Sequence, residues 1–193
     1  MKTLRRNISL IFLTLFVSFS GFSKEMGLPD FPVSSTSKQA QELYATGVTA
    51  FMDVDLYKAV DCFQKAADAE PNFIMPNVSL ALYYFHLNDM TRFKISAQKA
   101  LTSSYTLTES EKTIQDALKK LVENPVSNVT AYGLKLVKMN PESLLAYDIL
   151  ATFQGFDGDW PGQNNTYQHI LEFAKNPAPL YNKLAYNYLE QNK

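Results

Sequence analysis

The feature that most constrains this chain is a helical pattern that recurs every 34 residues. From Lys38 onward, apolar residues are spaced by three and four, which predicts amphipathic α-helices, and no run alternates as a β-strand would. Each predicted helix has about 12 to 16 residues, which is too short for a helix to be stable alone in water. The chain is therefore predicted to be all-α, with short helices that stabilise one another.

Counted from Ala40, the repeat divides the chain into four full units and a partial fifth, with two residues inserted before the third: 40–73, 74–107, 110–143, 144–177 and 178–193. One position in this frame always holds a small residue: Gly47, Ala81, Ala117, Ala151 and Ala185. Where two helices cross closely, a side chain larger than a methyl group would push the backbones apart. We therefore expect each small residue to lie at a helix crossing.

Polar residues predict three helix boundaries. Thr108, with Glu111 three residues later, forms a capping box. Ser127 is placed to cap the following helix, and Asn140 followed by Pro141 suits an N-cap and a first-turn proline.

The first unit carries the most detailed pattern, with characteristic residues at Ala40, Leu43, Tyr44, Gly47, Ala59, Phe63, Ala66 and Pro71. This pattern resembles the tetratricopeptide repeat (TPR), a helix-turn-helix unit of the same period. The resemblance spans residues 40–193 and is weakest in the third unit, where Gly133 stands at the position of Phe63. It implies a right-handed superhelical solenoid of about four and a half antiparallel helix hairpins.

In the family that this chain resembles, the first helix of each hairpin lines a concave face where partners bind. The corresponding residues of the first two units are apolar: Tyr44, Val48, Phe51, Val78, Leu82 and Phe85. The same face continues with Ile114, Leu118 and Leu121 in the third unit, with Asp148 and Thr152 in the fourth and with Asn182, Tyr186 and Leu189 in the fifth. An apolar groove suits an amphipathic helix or a hydrophobic extended segment, so we predict that the first six residues bind a partner protein or peptide.

Two other interpretations of this apolar stripe remain open. Aromatic residues at helical spacing often form a protein core, in which case the six side chains pack internally. Alternatively, the segment before Lys38 fills the groove with its own apolar residues, which are Met26, Leu28, Phe31 and Val33.

The N-terminus has the pattern of a secretory signal peptide over residues 1–23. Three basic residues precede an apolar run, and small residues follow at positions that suit cleavage before Lys24. The run is far shorter than the roughly 20 residues that span a bilayer. We expect Sec-type export to the periplasm or the cell exterior, with an uncleaved anchor and twin-arginine export as alternatives. Residues 24–37 are predicted to be a linker to a repeat domain over 38–193.

The charge of the chain gives no support for a nucleic-acid partner. There are 18 basic and 19 acidic residues, and residues 1–23 hold three of the basic ones and none of the acidic ones, which leaves a net charge of −4 after cleavage. Binding to phosphates requires a basic surface instead. The single cysteine, Cys62, excludes an internal disulfide and is expected to be a partly buried, inert thiol.

The sequence predicts no catalytic residue, no cofactor and no metal site. The two histidines, His86 and His169, lie in different units without neighbours arranged as metal ligands or as a catalytic triad. The glycine-rich loop over residues 155–162 lacks the preceding strand and the lysine of a phosphate-binding loop. Asp157 and Asp159 in that loop lack the further ligands of a calcium site.

These observations predict an exported, non-catalytic scaffold for protein–protein interactions. Residues 178–193 supply one helix where the repeat requires two, which fits either a capping helix or a chain that continues. An alternative function is therefore the helical accessory region of a longer exported enzyme, such as a hydrolase, whose catalytic part lies beyond Lys193. A third is a mainly structural protein without a soluble partner.

Overall fold

The computed structural model describes residues 31–172, 174 and 177–191. This part of the chain forms nine α-helices: α1 Lys38–Met52, α2 Leu56–Ala69, α3 Ile74–His86, α4 Met90–Leu101, α5 Glu109–Glu123, α6 Thr130–Met139, α7 Leu144–Phe156, α8 Trp160–Leu171 and α9 Ala178–Gln191. The predicted signal peptide, its cleavage point before Lys24 and the apolar residues Met26 and Leu28 lie outside the described residues.

The prediction of an all-α chain is confirmed, because the described residues contain no β-strand. Helices that follow one another in the chain pack against each other from α1 to α9. The most extensive contacts join α1 to α2, α3 to α4 and α7 to α8, which are the first and second helices of the first, second and fourth units.

The small residue of the repeat is buried in four of the five units. A Cβ atom at Gly47 would lie 2.6 Å from the ring of Phe63 in the second helix of the same unit, so a side chain there would force the helices apart. The corresponding alanines of the second, third and fourth units are fully buried. Ala185 differs: it is exposed, and no helix follows α9 in the described part of the chain to cross it.

Gly133 in α6 is explained by a close crossing with the next helix. A Cβ atom at this position would lie 2.8 Å from the Cα atom of Leu150 in α7. The two backbones therefore approach each other where any side chain would separate them. The glycine that weakens the resemblance of the third unit to the repeat is the residue that allows this unit to pack on the fourth.

Two of the helix boundaries predicted from polar residues lie near the start and the end of the third unit. One prediction is confirmed and the other is wrong. The capping box of Thr108 and Glu111 is present at the start of α5, as predicted. The prediction that Asn140 and Pro141 begin the next helix is wrong, because Asn140 ends α6 and the hydroxyl of Ser143 caps α7. The turn between these helices therefore contains the proline.

The prediction that Ser127 caps α6 is also wrong. This helix begins at Thr130, and no side chain close to it in sequence caps it. The carboxylate of Asp157, in the turn between α7 and α8, accepts hydrogen bonds from the backbone N–H groups of Val129 at 3.1 Å and of Thr130 at 2.7 Å. A tertiary contact thus replaces the local cap that the sequence suggested.

Residues 31–37, which we call the strap, pack against the helices. Ser34 donates its backbone N–H and its hydroxyl to one carboxylate oxygen of Glu111, at 3.0 and 2.9 Å. Thr36 donates the same two groups to Glu70 at the end of α2, at 2.8 and 2.7 Å. The strap therefore differs from the predicted linker over 24–37, because two acidic side chains fix its described part in place.

The apolar core consists of a large and a small cluster. The large cluster takes buried side chains from the strap and from α1 to α7. The small cluster joins α9 to α7 and α8 through Ala151, Tyr167, Ile170, Leu180 and Leu184. The last helix is therefore attached by a separate and smaller set of apolar contacts.

Some contacts join helices that are distant in the chain. The ring of Phe85 in α3 lies 4.6 Å from that of Phe156 in α7, and the ammonium of Lys183 in α9 lies 5.4 Å from the ring of Phe51 in α1. All four helices are odd-numbered, which means that they are the first helices of their units. First helices of different units therefore contact each other in two pairs, α3 with α7 and α1 with α9, and we call the surfaces that carry these contacts the inner side.

Candidate partner-binding site

The six residues predicted to line a groove are mostly part of the core. Four of them expose only 1% to 8% of their surface, and the other two are half-buried and pack against the large cluster. The buried four are Tyr44, Val48, Val78 and Leu82, and the half-buried two are Phe51 and Phe85. The structure thus brings the six together, but mainly as internal packing.

Tyr44 illustrates this internal role. Its ring packs edge-on against Phe73 at 5.2 Å and lies 5.7 Å from the ring of Phe63. Burial raises the pKa of the Tyr44 hydroxyl far above its ordinary value, because the phenolate would lose its hydration. A partner cannot reach this side chain without opening the core.

Phe51 and Phe85 are the two predicted residues that a partner can reach, and we call them the inner strip. They stand 34 residues apart, at the same position of consecutive units and near the ends of α1 and α3. Phe85 also packs against Phe93 at 4.9 Å and Phe156 at 4.6 Å, so its ring is fixed on two sides. The candidate site is therefore narrower than the sequence indicated.

The described apolar residues before Lys38 pack in the same cluster as the six predicted groove residues. Phe31 is buried in the large cluster and Val33 packs against it. The carbonyl oxygen of Pro32 accepts a hydrogen bond from the Thr108 hydroxyl at 3.2 Å, which sets the strap beside the start of α5. In the part of the segment that the structure describes, the apolar side chains before Lys38 therefore extend the core beside the start of α5 and the end of α2.

A buried ion pair lies beside the inner strip. Lys183 Nζ lies 2.6 Å from Asp148 Oδ1, and the two side chains are only 18% and 7% exposed. The same ammonium lies 5.4 Å from the ring centre of Phe51 and 5.7 Å from that of Tyr167. Burial and the nearby charge of Asp148 raise the pKa of the Tyr167 hydroxyl, so this ring stays neutral.

The sequence placed Asp148 on the inner face but missed Lys183. Lys183 follows Asn182, which was assigned to that face and is exposed instead. The sequence nevertheless contains a signal for this ion pair. Lys183 and Asp148 carry opposite charges and are separated by 35 residues, which is one repeat plus one position. Tyr186 and Leu189, also assigned to the inner face, are exposed as well.

The residues considered above for catalysis or metal binding lie in ordinary structural positions. His86 is exposed at the end of α3, and Nδ1 of His169 lies 3.1 Å from a carboxylate oxygen of Glu172. Cys62 is a buried free thiol. Asp159 caps α8, with its carboxylate accepting a hydrogen bond from the N–H of Gly162 at 3.0 Å. Among the described residues, acidic, histidine and cysteine side chains form no cluster of three that suits a metal ion.

No helix among the described residues has both the length and the apolar composition needed to cross a membrane. No protein-family model, curated protein or solved structure matches the chain.

Proposed function

We propose that this protein is an exported, non-catalytic scaffold with a TPR-like arrangement of helix hairpins, and that its inner side binds a peptide or helix of a partner protein. The packed pairs of short helices and the small residues at their crossings support the repeat arrangement. The basic and apolar pattern of residues 1–23 supports export.

The observation that carries the binding function is the inner strip. Phe51 and Phe85 occupy equivalent positions one repeat apart, remain partly exposed, and lie where the odd-numbered helices approach one another. Two aromatic side chains at this spacing give a helical or extended partner two anchors. Each anchor contributes about 1 to 3 kcal/mol when the partner buries it.

The test is affinity capture from the compartment of the native protein, comparing the chain from Lys24 with its Phe51→Ala/Phe85→Ala variant. Tyr57→Ala is the matched control, because Tyr57 is an aromatic residue in α2 that is 95% exposed and lies outside the inner strip. We expect the double variant to lose one specific protein while keeping its helical circular dichroism. An unchanged set of captured proteins for a folded double variant contradicts the proposal.

The same comparison separates the scaffold from a purely structural protein. In a purely structural protein, the double variant lowers the melting temperature but leaves the captured proteins unchanged. The export part of the proposal is checked separately by the intact mass of the protein produced in its own cell. A mature chain that begins at Lys24 supports export, and a chain that retains residues 1–23 contradicts cleavage.

A further inference from the structure

The ion pair beside the inner strip is not explained by stability. Asp148 and Lys183 are both largely removed from water. The loss of hydration that accompanies such burial often offsets the attraction between the charges, and apolar side chains of similar size are often equally stabilising. A role in recognition accounts for the pair better than a role in folding.

The groups that surround the ammonium come from three helices other than the one that carries it. Asp148 comes from α7, Phe51 from α1 and Tyr167 from α8, and we call these three residues the cation seat. An acidic group with aromatic rings around it attracts organic cations, through the charge and through the electron-rich ring faces. The last helix, α9, contributes only the cation, Lys183.

The side chain of Lys183 can leave the seat while the helix that carries it stays in place. Helix α9 is held by Leu180 and Leu184, which share the small cluster with Tyr167, and by hydrogen bonds of the buried Asn187 side chain. Lysine also has a long flexible stem, and the Lys183 side chain keeps some exposure to water. The occupant of the seat is therefore easier to exchange than the seat itself.

We propose that the cation seat of Phe51, Asp148 and Tyr167 binds a lysine or arginine side chain of the partner, and that Lys183 occupies it in the free protein. This inference rests on the proposed function, because Phe51 belongs to both the inner strip and the seat. Charge favours such a partner, since the chain without residues 1–23 has a net charge of −4. The partner segment is therefore a basic residue among apolar ones, the pattern that Leu180, Lys183 and Leu184 present.

The test uses Lys183→Glu in the chain from Lys24, because a second carboxylate beside Asp148 is repelled and leaves the seat vacant. The probe is a labelled synthetic peptide with the sequence of residues 178–191, made with its native lysine or with glutamine in its place. Binding is measured by fluorescence anisotropy against the Lys183→Glu chain, the unaltered chain and an Asp148→Asn/Lys183→Glu chain.

We expect the Lys183→Glu chain to bind the lysine peptide about ten times more tightly than the glutamine peptide. The unaltered chain binds the lysine peptide at least about ten times more weakly than the Lys183→Glu chain, because its own Lys183 competes at an effective concentration in the millimolar range. The Asp148→Asn/Lys183→Glu chain has no preference for lysine.

Equal affinity of the Lys183→Glu chain for the two peptides overturns the proposal, as does the absence of binding at millimolar peptide. If circular dichroism shows that Lys183→Glu is unfolded, Lys183→Gln replaces it, with the same expected and contradicting results. The assay contains no natural partner. If the affinity capture fails but the preference for the lysine peptide is retained, only the proposed function is contradicted. If the capture succeeds but the chain shows no preference for lysine, only the cation seat is contradicted.

Discussion

The two ends of the helical domain are completed in different ways. At the N-terminal end, the strap runs across the helices and its polar groups are held by Glu70 and Glu111, both of which are buried. At the C-terminal end, α9 packs on α7 and α8 through the small cluster and leaves Tyr181 and Leu189 exposed. The N-terminal end is held by hydrogen bonds to buried carboxylates, and the C-terminal end by a small apolar cluster, the ion pair of Lys183 with Asp148 and the hydrogen bonds of Asn187.

The difference between the two ends follows from the hydrogen bonds that the backbone of each terminal segment needs. The strap has no helix or sheet of its own, so its backbone N–H groups need acceptors from elsewhere in the protein. Glu70 supplies acceptors for Thr36 and Ser37, and it also accepts the Tyr105 hydroxyl at 2.9 Å. The backbone groups of α9 are paired within the helix, and its buried face combines apolar contacts with the polar contacts of Lys183 and Asn187. We therefore expect the N-terminal end to be the more stable one.

The largest expected effect comes from Glu111→Ala. This side chain is fully buried, and its removal leaves the N–H and hydroxyl of Ser34 and the N–H of Thr108 without their acceptor. We expect a loss of about 3 kcal/mol in the free energy of unfolding, measured by urea denaturation. Glu109→Ala is the matched control, since Glu109 lies in the same helical turn but is exposed, and we expect it to change stability far less than Glu111→Ala. Equal losses in the two variants contradict the role given to the strap.

A smaller and more local effect is expected at the other end from Leu184→Ala. Removing a buried leucine from the small cluster leaves a cavity worth about 2 kcal/mol. Because α9 is outside the large cluster, amide hydrogen exchange should become faster in α9 while protection in α1 to α4 stays unchanged. Leu189→Ala, at an exposed position of the same helix, is the control and leaves the exchange of α9 unaltered. A uniform loss of protection along the chain shows that the two ends unfold together.

Acid should weaken the N-terminal end through Glu70. Burial opposes ionisation of this carboxyl, but hydrogen bonds from Ser35, Thr36 and Tyr105 outweigh it and hold its pKa below the ordinary value of 4.5. A carboxyl with a lowered pKa in the folded state adds stability above the pKa of the unfolded state, and this contribution is lost as the pH falls through the lower, folded value. We expect stability to decrease below about pH 4.5, and less steeply in Glu70→Gln. If stability decreases equally steeply with falling pH in the unaltered protein and in Glu70→Gln, Glu70 is not the source of the acid sensitivity.

The repeat made much of the fold predictable, because a period of 34 residues can be read from one sequence. The small residues at helix crossings follow directly from it, and Gly47 beside Phe63 agrees with the prediction. Helix caps are harder to predict when the capping residue is distant in sequence from the helix that it caps. Asp157 caps α6 from the next helix pair, and no local pattern around Ser127 indicates this.

The site was harder to predict than the fold for a related reason. Periodicity assigns Tyr44 and Phe51 to the same helix face, but the amount of each that remains exposed depends on which other units approach that face. The approach of α1 to α9, which places Lys183 beside Phe51, depends on how small rotations between successive helix pairs add up. A single sequence does not specify these rotations, so the accessible part of the inner face was overestimated in the first two units.

The smallest expected effect is that of Tyr181→Ser, and comparing it with Leu180→Ser tests directly how the C-terminal end is closed. Tyr181 and Leu180 are neighbours in α9, but Tyr181 is exposed and Leu180 is buried in the small cluster. If only the buried face of α9 is covered, Tyr181→Ser changes the free energy of unfolding by about 0.5 kcal/mol or less, whereas Leu180→Ser lowers it by about 2 kcal/mol or more. Urea denaturation at low protein concentration measures both. Equal losses show that the outer face of α9 is also covered in solution, in which case the C-terminal end is as fully closed as the N-terminal end.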